Sequence, residues 1–251
     1  MIPKKLHYCW FGNQPKPTLF EQCLKSWKQY CPNFEIIEWN EINSKPYQNK
    51  FYKDAIRKKK YAFAADSIRT KILYELGGVY IDTDMLLLKP LDDLLVYNFF
   101  TGFEVVNRPA FGLFGAISMH PILKEMNQFY ECSEFNEFSL PVITHTFKNL
   151  VAKENLKETE VIFDIDYFYA LPYQHKDKSF KNFCTSKSYA VHLWNHSWNE
   201  EKKNTTSISY YLESLKKVWI DYLFYGYSKA YLIRYTRGFL RKIYYVLKGI
   251  K

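Results

Sequence analysis

Two aspartates, Asp82 and Asp84, close the stretch Val79-Tyr80-Ile81-Asp82-Thr83-Asp84. Carboxylates this close repel each other unless a cation neutralises them, and a hard divalent ion with oxygen ligands meets that need. In extended backbone Tyr80, Asp82 and Asp84 alternate and would point to one side. Upstream, Asp66 and Arg69 stand three residues apart and share one face of a helix. A second polar cluster follows near residue 195. His192, Asn195, His196 and Ser197 lie together beside Trp194 and Trp198. Imidazole suits transition-type divalent ions and adds no further charge to an acidic site. It serves equally well as a hydrogen-bonded core residue, and spacing alone leaves both readings open.

These residues need a scaffold, and the pattern supplies one. Tyr61 to Leu76 reads as a helix stopped by Gly77-Gly78, because glycine accepts the left-handed backbone common at helix ends. Val79 to Ile81 then starts a β-branched and aromatic run suited to the inside of a sheet. Ile2 to Phe11 predicts a first buried strand, ending at Trp10 and a Gly/Pro loop where α/β sheets present ligands. Trp10 there either stacks on a base or fills the core. Thr18 to Tyr30 has apolar residues at spacings of three and four and predicts a helix, with a strand over Phe34 to Trp39. Phe51 to Lys60 reads as a surface helix or loop. Further strands are expected over Phe99–Val106, Phe111–Ser118, Val161–Phe168 and Tyr189–Leu193, with a loop at Asn107-Arg108-Pro109. Helices are expected from His120-Pro121 to Tyr130, with His120 capping or packing, and over Leu140–Leu150. Gly112 and Gly115 predict close approach of another group to the backbone.

Apolar content of 47% supports a core, and 24% charged residues is ordinary for a soluble protein. The formal charge of +9 is confined to the C-terminal fifth. From Lys202 onward 11 basic residues face only Glu213 and Asp221. Residues 1–201 are net neutral, and division at 204/205 follows: a catalytic body over 1–204 and a basic helical extension over 205–251. In the extension Ile208, Leu212, Leu215, Trp219 and Leu223 form one stripe. Ile233, Leu240, Tyr244 and Leu247 form a second, with Arg234, Arg237, Arg241 and Lys248 beside it. Such a pattern suits an interfacial helix on an anionic membrane or a helical pair packed on the body with a solvated basic face. No nucleic-acid motif accompanies the charge. Five cysteines without metal-ligand spacing predict reduced core thiols. With no signal-peptide run or transmembrane stretch, a cytoplasmic location is expected, peripheral on the inner face of the cell membrane.

Three segments, IPKKLHYCWFG, AFAADSIRTKILYELGGVYIDTDMLLLKPLDDLL and AVHLWNHSW, together resemble the bacterial members of glycosyltransferase family 32, sugar transferases carrying a DXD motif. The resemblance implies a GT-A fold, an α/β Rossmann-like mixed sheet flanked by helices. It implies a nucleotide-sugar donor, with a UDP-sugar favoured, and Mn2+ or Mg2+. Asp82 and Asp84 would hold the metal and through it the donor diphosphate, with His192 as third ligand. Asp66 and Arg69 would touch the donor sugar and phosphate, and Tyr80 would line the same pocket. Trp10 would lie beside the base with Tyr8 nearby, and Asn195, Ser197 and Trp198 would close over the diphosphate. Retaining transfer to a glycan acceptor is implied, and a lipid-linked acceptor in capsular, exopolysaccharide or lipopolysaccharide synthesis would explain the basic tail. The rivals are a haloacid dehalogenase-like phosphatase, whose nucleophile strand VYIDTDMLL imitates, and a non-catalytic carbohydrate- or membrane-binding protein.

Overall fold

A computed structural model describes residues 1–136, 140–152, 155–195, 208–224 and 227–248. Six strands form one mixed sheet: β1 (Lys5–Cys9), β2 (Glu35–Trp39), β3 (Gly78–Ile81), β5 (Phe99–Val105), β6 (Arg108–Ala116) and β7 (Glu160–Phe163), in the order β2-β1-β3-β6-β5-β7. β1 runs parallel to both β2 and β3, β6 is antiparallel to β3 and β5, and β7 is parallel to β5. The parallel half is built as β-α-β units, the half in which ligands collect beyond the strands' carboxyl ends. Two further strands, β4 (Met85–Leu87) and β8 (Ala190–His192), pair antiparallel in a small second sheet. This is the expected Rossmann-like mixed sheet between helices.

The period-two alternation of β3 divides the core. Val79 and Ile81 pack with Phe20, Cys23 and Trp27 of α1 (Thr18–Tyr30). Tyr80 points to the other face, beside Ile68 and Ile72 of α3 (Tyr61–Leu76). α3 is enclosed by the sheet, by α2 (Lys50–Arg57) and by α4 (Pro121–Cys132), which is why its buried residues run round the helix from Phe63 to Leu73. α2 corrects the surface reading of 51–60. Phe51, Tyr52 and Ala55 are buried against the same core, while Lys50, Lys53 and the Arg57–Lys59 end are exposed. Gly77 (φ 62°) and Gly78 (φ 115°) terminate α3 as expected. A side chain at Gly78 would collide with the buried His7 ring, its Cβ only 2.7 Å from Nε2.

Other boundaries moved. Arg108 and Pro109 belong to β6, and the hairpin turns instead at Val106-Asn107, where Asn107 takes φ 59°. The Leu140–Leu150 helix shortens to α5 (Ile143–Thr146). The strand expected over 161–168 stops at Phe163, and Ile165–Phe168 is a helical turn, α6. His120 caps α4, its Nδ1 accepting from the Ile122 N–H at 3.3 Å.

In the tail, α7 (Ile208–Phe224) and α8 (Lys229–Leu247) pack against each other and rest on the body. Tyr227 stacks edge-on to Phe129 with ring centroids 4.9 Å apart, and Asn136 Nδ2 donates to Asp221 at 3.2 Å. The α7 stripe read from the sequence is not its packing face. Ser214, Val218 and Asp221 are buried there, whereas Leu212, Trp219 and Leu223 are exposed.

Candidate active site

The site is assembled where β3 ends. The strand stops at Ile81, and Asp82-Thr83-Asp84 is a tight turn closed by Met85 N–H donating to the Asp82 carbonyl at 3.0 Å. Asp84 therefore does not continue the strand, which corrects the same-side alternation argued from extended backbone. The turn reverses the chain into β4, and the two carboxylates converge by that reversal instead. β4 is held down by α1: Trp27 Nε1 donates to the Met85 carbonyl at 2.8 Å, and the Leu87 N–H donates to Ser26 Oγ at 3.0 Å.

The β4–β8 register brings the second cluster in. Met85 pairs with His192, so the imidazole reaches Asp84, with Nε2 at 3.1 Å from Oδ1. The Leu193 N–H donates to the Asp84 carbonyl, and the Asn195 N–H donates to Asp84 Oδ2, both at 2.9 Å. Asp82, Asp84 and His192 each offer a ligand atom, all within 4.8 Å of one another. His192 Nδ1 is buried and has no hydrogen-bond partner among the described residues, an uncommon state for a buried polar atom. Ser197 and Trp198, with His196, lie outside the described residues. Asn195 contributes its backbone rather than its amide, and Trp194 fixes the segment by donating Nε1–H to the Leu171 carbonyl at 2.7 Å.

On the other side, Arg69 Nη2 sits 3.2 Å from Asp66 Oδ1 and 3.2 Å from Asp82 Oδ1. Its Nη1 donates to the Phe111 carbonyl at 2.9 Å, and its guanidinium lies 4.3 Å over the Tyr80 ring. Tyr80 Oη donates to Asp82 Oδ1 at 3.3 Å. Arg69 is buried, and its donors are engaged by the protein. It orders Asp66 and Asp82 from within the core. Tyr8 and Trp10 lie at the carboxyl end of β1: Tyr8 Oη donates to Glu38 at 2.6 Å, and Trp10 stacks on Phe20 with Nε1–H donating to the Gln14 carbonyl.

The protonation states follow from burial set against charge. Burial pushes Asp66 up to about 7, against the pull of Arg69. Burial also raises Asp82, opposed by Arg69 and reinforced by the Asp84 charge. Burial works against ionisation of Asp84 too, but the His192 charge and hydrogen bonds from His192 and Asn195 hold it below the usual carboxylate range. For His192, burial is outweighed by Asp84, and the imidazole is raised. The Asp84 charge thus favours a positive charge on His192 that burial resists, and a dication held by the three side chains would supply that positive charge instead.

Tyr169, missed by sequence reasoning, and Gly112, expected to admit a close neighbour, complete the wall. Tyr169 is buried, accepts the Gly112 N–H at its Oη at 3.1 Å, and has its ring 5.6 Å from that of His192. Gly112 was expected to allow close approach, and the partner is Asp82: the Asp82 N–H donates to the Gly112 carbonyl at 2.6 Å. A Cβ at Gly112 would meet Asp82 Oδ2 at 2.7 Å and Tyr169 Oη at 2.9 Å. Nothing in the spacing of Tyr169 announced this role, since its segment reads as an ordinary apolar run.

Comparison with known proteins bears on this geometry. Residues 17–101 match the glycosyltransferase sugar-binding region containing the DXD motif, and residues 117–218 match the alpha 1,4-glycosyltransferase conserved region. Human alpha-1,4-N-acetylglucosaminyltransferase is 24% identical over 185 residues, covering 67% of this chain and 50% of its own. An uncharacterized glycosyltransferase of Acanthamoeba polyphaga mimivirus is 28% identical over 215 residues, covering 79% and 84%. Mouse lactosylceramide 4-alpha-galactosyltransferase is 24% identical over 153 residues, covering 52% and 40%. The chain thus spans about half the length or less of the mammalian relatives it matches, and these relatives are animal and viral rather than bacterial. Among solved structures, a glycosyltransferase involved in glycosylation of the major capsid of PBCV-1 aligns with a TM-score of 0.46 at 11% identity, over 78% of this chain and 95% of its own. Two adjoining glycosyltransferase regions, the DXD-containing sugar-binding region and the alpha 1,4-glycosyltransferase conserved region, thus account for residues 17–101 and 117–218 of this chain.

Proposed function

We propose that the protein is a metal-dependent retaining glycosyltransferase that moves a sugar from a nucleotide-sugar, with a UDP-sugar favoured, to a glycan acceptor. The observation that carries this reading is the convergence of Asp82, Asp84 and His192 within 4.8 Å at the carboxyl end of β3. Two carboxylates and an imidazole, with His192 Nδ1 left unsatisfied, fit a first-row divalent ion. The nitrogen ligand favours Mn2+ over Mg2+, which prefers oxygen.

When bound, the dication would supply Lewis-acid stabilisation of the charge building on the leaving diphosphate. The chain's own residues do the rest. Asp82 and Asp84 bear the charge that holds it, and the Asn195 and Leu193 amides fix Asp84. Arg69 orients Asp82 and Asp66 together. Asp66, ionised, favours the positive charge that develops on the sugar, as carboxylates do in glycoside hydrolysis. Among the described residues no carboxylate is evident as a covalent nucleophile for retention, so the acceptor would attack from the face the diphosphate leaves. Tyr8, Trp10 and Tyr80 are assigned to the donor pocket, with Asn195, Ser197 and Trp198 closing over it. A lipid-linked acceptor, contact of residues 205–251 with an anionic membrane, and work at the cytoplasmic face in surface polysaccharide synthesis belong to the same proposal.

The test is release of nucleoside diphosphate from a panel of UDP- and GDP-sugars with Mn2+. Metal-dependent release lost in Asp84→Ala supports the reading, and no release from any donor sinks it. Phosphate release from a simple phosphomonoester would indicate the phosphatase alternative. Sugar binding without turnover would indicate a non-catalytic protein.

A further inference from the structure

α8 has two different sides. At about 100° per residue, Leu232, Tyr231, Tyr235 and Phe239 cover one side of the helix. They pack on α7 and on the body, with Tyr235 Oη donating to the Leu140 carbonyl. The opposite side carries a line of apolar residues within about 60° of one another: Ile233, Leu240, Tyr244 and Leu247. They are 56%, 51%, 53% and 70% exposed. Arg234, Arg237, Arg241 and Lys248 occupy the next 60° or so, and all are exposed. α8 contains no acidic residue, and among the described residues no carboxylate pairs with these four cations. Single exposed leucines are ordinary on a protein surface. A continuous apolar line bordered by a row of cations that no described carboxylate neutralises marks a contact surface.

The same surface has a neighbour on the body. The β5–β6 hairpin tip presents Val105 and Val106, which are 43% and 76% exposed, and beyond Asn107 comes Arg108, paired with Glu104 at 3.2 Å. The tip and α8 meet through α5, which packs on both β6 and α8, with Ser228 Oγ donating to the His145 carbonyl at 3.5 Å. Burial and then the charges of Arg234, Arg108 and Lys148 hold His145 down at about 4. From Arg108, β6 runs four residues to Gly112 beside Asp82, about 13 Å along the strand.

We infer that the outward side of α8 and the Val105–Val106 tip form one docking surface for an anionic lipid bilayer, which brings the bilayer next to the Asp82 cleft. The occupant follows from chemistry. A second copy of the chain would set cation rows against each other. A nucleic-acid backbone would satisfy the cations and leave Ile233, Leu240 and Leu247 in water. Anionic headgroups over an acyl boundary satisfy both rows, with the helix lying in the interface plane. No described helix is long and apolar enough to cross a membrane, in keeping with a surface mode. The inference deepens the transferase proposal by giving its acceptor side a lipid surface, and its test does not depend on turnover.

The test is flotation of the full chain with phosphatidylcholine vesicles, alone or with about one quarter phosphatidylglycerol. Binding to the anionic vesicles only, released as salt shortens the screening length, is expected. Arg234→Glu/Arg237→Glu/Arg241→Glu should weaken it by about a hundredfold or more. Leu240→Ser/Leu247→Ser and Val105→Asp/Val106→Asp should each weaken it about tenfold or more, with melting temperatures unchanged. Equal recovery on neutral and anionic vesicles, no binding to either, tighter binding to duplex DNA, or self-association lost in the same variants would each overturn it. Failure of donor hydrolysis with vesicle binding intact would remove the transferase proposal and leave this surface standing.

Discussion

His192 Nε2 lies 3.1 Å from Asp84 Oδ1, a contact made by antiparallel pairing of two three-residue strands, β4 and β8. If the imidazole is the third metal ligand, His192→Ala should weaken Mn2+ binding by about 10- to 100-fold, the range seen when a metal site loses supporting groups. Electron paramagnetic resonance titration of free Mn2+ measures this directly. Unchanged affinity would make His192 only a partner of Asp84.

Gly112→Ala tests the wall of the same site. Its Cβ would meet Asp82 Oδ2 at 2.7 Å and Tyr169 Oη at 2.9 Å, so one or both side chains must shift. The expected outcome is about 1–3 kcal/mol of destabilisation together with a loss of Mn2+ affinity as Asp82 is displaced. Denaturant melts and the same Mn2+ titration check it, and wild-type values for both would show that the turn yields easily.

Tyr169→Phe keeps the ring and deletes the hydroxyl that accepts the Gly112 N–H. A buried amide left without a partner costs about 1–3 kcal/mol, and that loss should appear in urea unfolding at neutral pH. Turnover should fall with it through the position of Asp82, whereas a purely structural tyrosine would lower stability and leave the metal titration unmoved.

Asp66 provides a test with a definite sign. Its folded-state pKa is raised to about 7 from an unfolded value of 3.8, so the folded protein binds the extra proton between those limits. Stability from this group is present below about 4 and is lost as pH rises through about 7. Asp66→Asn should therefore flatten the decline in melting temperature between pH 5 and pH 8, taken as roughly that window, while abolishing most donor turnover. A variant with the wild-type pH profile would contradict the assignment.

His7 carries the opposite sign. Burial first, and the Lys5 charge after it, hold its folded-state pKa near 4 against an ordinary 6.5, with the Gly77 hydrogen bond opposing them. Trp39 Nε1 donates to its Nδ1 at 3.1 Å, and its Nε2 lies 3.0 Å from the Gly77 carbonyl. The unfolded chain takes up the proton first, so stability is lost as pH falls from about 6.5 toward 4, by up to about 3 kcal/mol. Thermal melts should show that slope in the wild type and a shallower one in His7→Gln.

The residue types and local patterns determined the elements. The spacing over Thr18–Tyr30 sufficed for α1, and Gly77-Gly78 fixed where α3 must stop, because only glycine takes those φ values without strain. The apolar run after them fixed β3, and Asp82 and Asp84, separated only by Thr83, needed no long-range contact to be chosen. The tertiary structure decided what lies far apart in sequence. That Asp84 leaves the strand in a turn, that β8 delivers His192 to it, and that Arg69 is spent on Asp66, Asp82 and the Phe111 carbonyl all depend on pairings between distant segments. Local propensity carries no information about such partners. The exposure of Ile233 and Leu240 is of the same kind. Periodicity placed them on one line of α8, but only packing against α7 and the body decided that this line faces outward.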